Sequence, residues 1–207
     1  MFYPEALLNL LVHQNIVPVI LAAGRSRHLP FPKALAVFGN FTAIDIAVAN
    51  CEGLRQPIVV LGSDAELIRP AVPANTKVVM NPNWSKGQLS SLLAALQHVP
   101  AQAAFLLYPV DHPLLQKETV RQLVTAFCTR APTQKIAMPR HNGSFGHPVI
   151  LAAELREEIV AATTAREVVY RQPERIKILE AQTSAIYDDF DTPESYRACV
   201  QKFEARR

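Results

Sequence analysis

The sequence predicts an α/β fold, a doubly wound and mostly parallel sheet in a three-layer α/β/α sandwich, and three observations predict it. Short runs that are apolar at nearly every position recur along the chain. Segments with helical spacing of apolar residues separate them, and polar or glycine-containing residues follow each run. Strands that are apolar on both faces belong inside a sheet that is covered on both sides, and their alternation with helices of about ten residues suits parallel crossovers.

The elements follow in order. Strands are predicted over 16–21, 57–61, 77–80, 103–108 and 136–138, and helices over 42–51, 64–70, 88–98 and 117–128. After residue 138 the pattern loosens into a turn at 141–144 and a short apolar run at 147–151. Helices near 153–161 and 165–171, a strand over 175–179 and a closing helix from Pro193 complete the chain. Sixteen prolines are dispersed and act as stops for these elements. No repeat or linker divides the 207 residues, so one domain over 1–207 is expected, with residues 1–15 as an N-terminal helical extension.

Composition narrows the function. A net charge of +3, from 21 basic and 18 acidic residues spread without long runs, is too mild for a nucleic-acid partner. The three cysteines are far apart, form no Cys-x-x-Cys pair and suit a reducing cytoplasm. The apolar patch at 6–12 follows Glu5, is interrupted by Asn9 and has no basic leader, so neither a signal peptide nor a membrane span is expected.

Ligands of open parallel sheets bind beyond the carboxyl ends of the strands. Four such ends carry polar clusters: 24–33, 81–92, 109–113 and 188–193. Gly24 lets backbone N–H groups approach a phosphate, and Arg25, Arg27 and Lys33 offset its charge. The same loop also reads as a strand-to-helix turn capped by Ser26. Asp111, after the apolar run 105–108, is a hard oxygen ligand suited to Mg²⁺, or else a turn or cap residue before Pro113. Asp189 and Asp191 alternate in an extended segment and are candidate metal ligands, while Asp191-Thr192-Pro193-Glu194 also has the form of a helix start. His112, His141 and His147 have neither the spacing nor the cysteine partners of a zinc site. Trp84 reads as a packing anchor. A phosphate loop, a lysine and two acidic sites together are the set needed to hold a metal-bound nucleotide for phosphoryl or nucleotidyl transfer.

At this point the chain resembles the MobA-like nucleotidyltransferases, most of all their molybdenum cofactor cytidylyltransferase branch. Leu21, Ala22, Ala23, Gly24, Ser26 and Lys33 match the family's Leu-Ala-Ala-Gly-x-Ser-x-Arg-Met-Gly-x-x-Lys. Asn81, Pro82, Trp84, Gly87, Ser90, Ser91 and Leu92 match its second loop, Asp111-His112-Pro113 its central tripeptide, Gly146-His147-Pro148-Val149 its Gly-His-Pro-Val segment, and the Asp189 to Glu194 stretch its closing motif. The chain departs at His28, Leu29 and Pro30, where the family has arginine, methionine and glycine, and Arg25 or Arg27 is expected to supply the missing charge.

The resemblance implies a cytoplasmic enzyme of Rossmann-like fold. It would transfer a nucleoside monophosphate, CMP from CTP, to a phosphate of an acceptor such as molybdopterin, with Mg²⁺ as cofactor and pyrophosphate leaving. Leu-Ala-Ala-Gly accompanies cytidine in that family. Residues 21–28, Lys33, Asn81, Gly87, Ser91 and Asp111 would contact the nucleotide, with Lys33, Asp111 and Asp191 catalytic. His112, Gly146, His147, Pro148 and Arg166 would contact the acceptor. A molybdoenzyme or its chaperone is an expected partner, and the chain is expected as a monomer or dimer. A non-catalytic nucleotide- or pterin-binding homologue, or a transferase for another phosphorylated acceptor, stays open as an alternative.

Overall fold

The computed structural model describes residues 15–206, so the extension expected over 1–15 lies, up to residue 14, outside the described residues. In chain order the elements are β1 (Ile16–Ala22), the hairpin β2 (Val37–Phe38) and β3 (Phe41–Thr42), α1 (Ala43–Asn50), β4 (Ile58–Leu61), α2 (Ala65–Ile68), β5 (Lys77–Met80), α3 (Gln88–Leu96), β6 (Ala104–Pro109) and α4 (Lys117–Cys128). They continue with β7 (Ile136–His141), β8 (Ser144–Phe145), β9 (Val149–Leu151), α5 (Arg156–Ala161), α6 (Ala165–Tyr170), β10 (Ile176–Glu180) and α7 (Pro193–Glu204).

Eight strands form one sheet in the order β10-β7-β9-β6-β1-β4-β5, with β8 on β7. Only β8 and β9 run antiparallel to their neighbours. β1 is buried along its whole length and sends alternate side chains to opposite layers. Ile16, Ile20 and Ala22 pack under α1, α4 and α7, whereas Val17, Val19 and Leu21 pack under α3, α5 and α6. A period of two with both faces covered requires an apolar residue at each position. Each buried Val, Leu or Ile stabilises the fold by about 1.5–3 kcal/mol, so both helix layers are needed to hold this strand. Among the described residues no helix is long and apolar enough to cross a membrane, and Cys51, Cys128 and Cys199 are free thiols.

The structure differs from the sequence reading after β1. No helix follows the 24–33 loop directly; Lys33–Leu35 forms a 3-10 turn and the β2–β3 hairpin comes next. Ser26 therefore caps nothing, and its Oγ instead accepts the Lys33 backbone N–H at 3.0 Å, which closes the loop on itself. The helix begins one residue later than Thr42, because Thr42 and Asp45 form a capping box. The hairpin in turn holds the C-terminal segment: the Phe38 ring packs edge-on against Phe190 at 5.4 Å and Tyr196 at 5.5 Å, and the Tyr196 hydroxyl donates to the Val37 carbonyl at 2.8 Å. This clamp brings residues near 190 to the loop after β1.

Candidate active site

β1 pairs with β4 on one side and β6 on the other, so a crevice opens where the carboxyl ends of these three strands part. A cleft of about 230 Å³ lies there, walled by the 21–25 segment, Lys33, Trp84, Gly87, Gln88, Ser91 and the 109–111 segment. A Cβ placed on Gly24 would meet no atom within 4 Å, and its φ lies outside the left-handed region. The protein itself therefore does not demand glycine at 24, and the open space is available to a ligand. Gly62 is the opposite case: a Cβ there would come within 2.6 Å of both the Ala23 carbonyl oxygen and Trp84 Cβ. Trp84 is thus a packing anchor and a wall of the cleft at once.

Charge gathers at one edge. The Lys33 ammonium lies 2.7 Å from Asp111 Oδ2 and also contacts Asp191 Oδ1, joining residues from three distant parts of the chain. The other Asp111 oxygen is 3.1 Å from His112 Nδ1. Burial pushes the Asp111 carboxyl up, but His112 and Lys33 outweigh it and hold the group well below the usual carboxylate range. Burial likewise pulls Lys33 down, and Asp111 with Asp191 more than reverses this. Neither aspartate caps a helix: α4 begins after Gln116, and Thr192 with Ser195 caps α7.

A second cleft, about 330 Å³, adjoins the first and is lined by His112, Gly146, His147, Arg166, Asp189 and the rings of Phe145, Tyr170 and Tyr187. The His112 and His147 rings meet edge to face at 5.0 Å. His147 Nδ1 is buried without a hydrogen-bond partner, and burial, with a lesser effect of His112, pushes this imidazole down to about 4. Burial and the charge of Asp111 raise Asp189. Gly146 is jammed, since a Cβ there would sit 2.3 Å from the Ile186 carbonyl oxygen.

Several expected site residues lie elsewhere. Asn81 faces neither cleft, because its carboxamide is engaged by Ser90 Oγ at 2.9 Å, Ser91 Oγ at 3.0 Å and the Asn83 N–H at 2.9 Å. It shapes the loop that carries Gly87 and Ser91. Arg25 lines the first cleft, whereas Arg27 and His28 are exposed beside it and Leu29 is buried in the core. Pro148 is buried behind the second cleft, whose wall its neighbour His147 forms. Asp189 turns to the second cleft while Asp191 reaches Lys33, and among the described residues no group of three His, Cys, Asp or Glu side chains is arranged to hold a metal. His141 bonds the Ala181 carbonyl at 2.9 Å, away from the His112–His147 pair. Sequence reasoning missed Gln88, which lines both clefts, and Gly62. Their signals were present: Gln88 follows Gly87 at the first helical position, and Gly62 ends an apolar run.

The donor set still fits one divalent cation. Asp111 and Asp191 supply hard oxygens beside an open cleft, and a hexacoordinate ion of the Mg²⁺ type takes only one or two carboxylates and completes its shell with water and phosphate.

Known proteins share this architecture. A nicotine blue oxidoreductase of Paenarthrobacter nicotinovorans is 27% identical over 193 residues, 86% of this chain and 93% of that one. The molybdenum cofactor cytidylyltransferase of Escherichia coli (strain K12) is 24% identical over 191 residues, 89% and 95% of the two chains. Among solved structures, Rv0371c from Mycobacterium tuberculosis H37Rv superposes with a TM-score of 0.79 at 26% identity, covering 91% of this chain and 99% of that one, and it has also been solved in complex with manganese. The model of the MobA-like NTP transferase domain matches residues 18–176, from β1 to the start of β10, a span that holds Gly24, Lys33 and Asp111 but ends before Asp191. On that match this chain belongs to the family of MobA-like NTP transferase domains.

Proposed function

We propose that this nucleotidyltransferase-family chain transfers CMP from CTP to a phosphate of a molybdopterin-type acceptor and releases pyrophosphate. The observation that carries the reading is the Lys33 ammonium between the carboxylates of Asp111 and Asp191, at the junction of two clefts. The first cleft, with Gly24, Arg25 and Lys33, suits a triphosphate: backbone N–H groups approach it at Gly24 and two cations offset its charge. Ser91 and Gly87 line the side available to ribose and base. The second cleft supplies Arg166 for an acceptor phosphate and aromatic faces for a flat heterocycle. His112, held through Nδ1 by Asp111, keeps its other ring nitrogen for the acceptor.

Such catalysis is mainly positioning and charge neutralisation. Asp111 and Asp191 would hold Mg²⁺, which when bound offsets charge on the phosphates and on the leaving pyrophosphate. The manganese complex of Rv0371c supports a divalent cation in this architecture. Ala23, whose neighbours complete Leu-Ala-Ala-Gly, and the likeness to the Escherichia coli cytidylyltransferase support CTP.

A second reading, oxidoreduction of a nicotine blue-type substrate, is favoured by the 27% identity to nicotine blue oxidoreductase and the aromatic wall of the second cleft. One assay separates the two. The chain is incubated with Mg²⁺, molybdopterin and CTP, GTP or ATP, and pyrophosphate is measured; a parallel reaction follows NADH or NADPH consumption with nicotine blue. Release with CTP is expected, and Asp111→Asn should lower it by about 10²–10³-fold with the fold intact. Pyrophosphate from no nucleotide would overturn the transferase reading, and dinucleotide consumption would favour the second.

A further inference from the structure

We propose that the site takes its divalent cation only together with a nucleoside triphosphate, because Lys33 occupies the two carboxylates until phosphate draws it away. The inference rests on the transferase reading and specifies what the first cleft admits: the metal–nucleotide complex, with free metal excluded.

Four observations carry it. Both oxygens of Asp111 are engaged within the protein, Oδ2 by the Lys33 ammonium at 2.7 Å and Oδ1 by His112 Nδ1 at 3.1 Å. Asp191, whose side chain is 62% exposed, gives Oδ1 to the same ammonium. A cation arriving alone therefore finds one solvated carboxylate oxygen, and among the described residues no third acidic or histidine side chain completes a set. The root of Lys33 is fixed, since its backbone N–H donates to Ser26 Oγ at 3.0 Å within the loop that borders the cleft. Only the four-carbon stem has to swing for the ammonium to leave the aspartates for the cleft that Lys33 also lines.

The charge balance decides the order. Displacing the ammonium by a lone divalent ion sets two cations against each other and strands the lysine in a partly buried position without a partner, a costly state for a charge removed from water. A triphosphate removes that cost, because its oxygens give the ammonium charge-assisted hydrogen bonds while the ion it carries meets the released carboxylates. In the absence of nucleotide, Lys33 is the cation of the site.

The test measures metal binding rather than turnover. Free Mn²⁺ is quantified by electron paramagnetic resonance against wild type, Lys33→Met, Lys33→Gln and the double variant Lys33→Met/Asp111→Asn. Each is measured alone and with the non-hydrolysable methylene analogue of CTP, whose own binding is followed by calorimetry. Wild type should leave Mn²⁺ free at millimolar concentration without nucleotide and bind it with the analogue. Either lysine variant should bind Mn²⁺ alone at least tenfold more tightly than wild type, and the double variant should lose that gain. Melting in EDTA shows that the variants are folded, and Mn²⁺ should raise the melting temperature of the single variants only. If the Mn²⁺–analogue complex binds wild type while the lysine variants bind free Mn²⁺ no better, the gate is overturned and the transferase reading stands. If the analogue binds to none of the proteins, with or without Mn²⁺, both fall.

Discussion

The two clefts share the wall at Gln88 yet are built on different physics. The first is made of strand-end backbone and a charged triad, with Gly24 open and Lys33 tied to Asp111 and Asp191. The second is made of rings and an imidazole pair, and its sharpest feature is a buried nitrogen, His147 Nδ1, without a partner. Charges in the first are paired before any ligand arrives, one ammonium against two carboxylates, whereas the second keeps a polar group neutral by burying it. One region is organised by electrostatics and the other by packing, so the same kind of substitution should act differently in each.

Glycines give the largest contrast. Gly62→Ala and Gly146→Ala put a methyl against backbone oxygens at 2.6 and 2.3 Å. Backbone does not yield as a flexible side chain does, so each should destabilise the chain by about 3 kcal/mol, at the upper end for overpacking. For a chain of this size that lowers the melting temperature by about 6–12 °C. Gly24→Ala meets nothing within 4 Å and should leave melting unchanged while weakening binding of the CTP analogue. Calorimetric melting and titration of the three variants check this. Equal melting losses in all three would mean that the loop after β1 is packed and not held open for a ligand.

The same contrast explains what could be read from the sequence. The strands at 16–21, 57–61 and 103–108 announce themselves because both faces are covered, and the observed strands begin and end within a residue of those limits, as does the exposed edge strand at 77–80. Strand direction is invisible to periodicity, so the antiparallel β9 at 149–151 showed only as an apolar run. The β2–β3 hairpin escaped because two residues on either side of Gly39 and Asn40 are too short for any period to register. Charged residues at strand ends are conspicuous, but their partners are not. Lys33 and Asp191 are 158 residues apart, and the clamp of Phe38 on Phe190 and Tyr196 that joins them has no local signature. Asn81 shows the reverse case, a polar residue at a strand end whose carboxamide is engaged by its own loop.

A smaller effect should follow from pH. His147 titrates near 4 in the folded chain against an ordinary value of 6.5, so below pH 6.5 the unfolded chain takes up a proton that the folded one refuses. Its contribution to stability is complete above pH 6.5, falls as pH drops toward 4, and changes no further below that. Asp111, held below the usual carboxylate range, loses its share only in stronger acid, outside this window. Between pH 7 and 5 the loss from His147 should be about 2 kcal/mol. His147→Gln, which keeps the backbone N–H bond to the Ile186 carbonyl, should flatten the melting profile between those values. A variant with the wild-type slope would assign the acid sensitivity to another group.

The smallest effect belongs to the wall that the clefts share. Gln88 is exposed, and its carboxamide makes no hydrogen bond within the described residues, so it contributes little to stability. Its backbone is nevertheless held firmly. Gly87, at φ 97°, adopts a conformation that favours glycine; its N–H donates to the Trp84 carbonyl at 3.1 Å and its carbonyl accepts the Ser90 N–H at 3.1 Å. A neutral group that both donates and accepts can face an anion on either side without trapping it as a cation would. Gln88→Ala should therefore leave melting within about 0.5 kcal/mol of wild type and leave the affinity for the CTP analogue unchanged. Turnover should fall about five- to tenfold, on the order of 1 kcal/mol in the barrier, because alignment across the two clefts is lost. Gln88→Asn, one methylene short, should recover part of the rate, and Gln88→Glu should be worse than alanine because its charge repels both phosphates. If Gln88→Ala weakens nucleotide binding by the same factor as turnover, the residue serves the first cleft alone, and the clefts meet without a common reader.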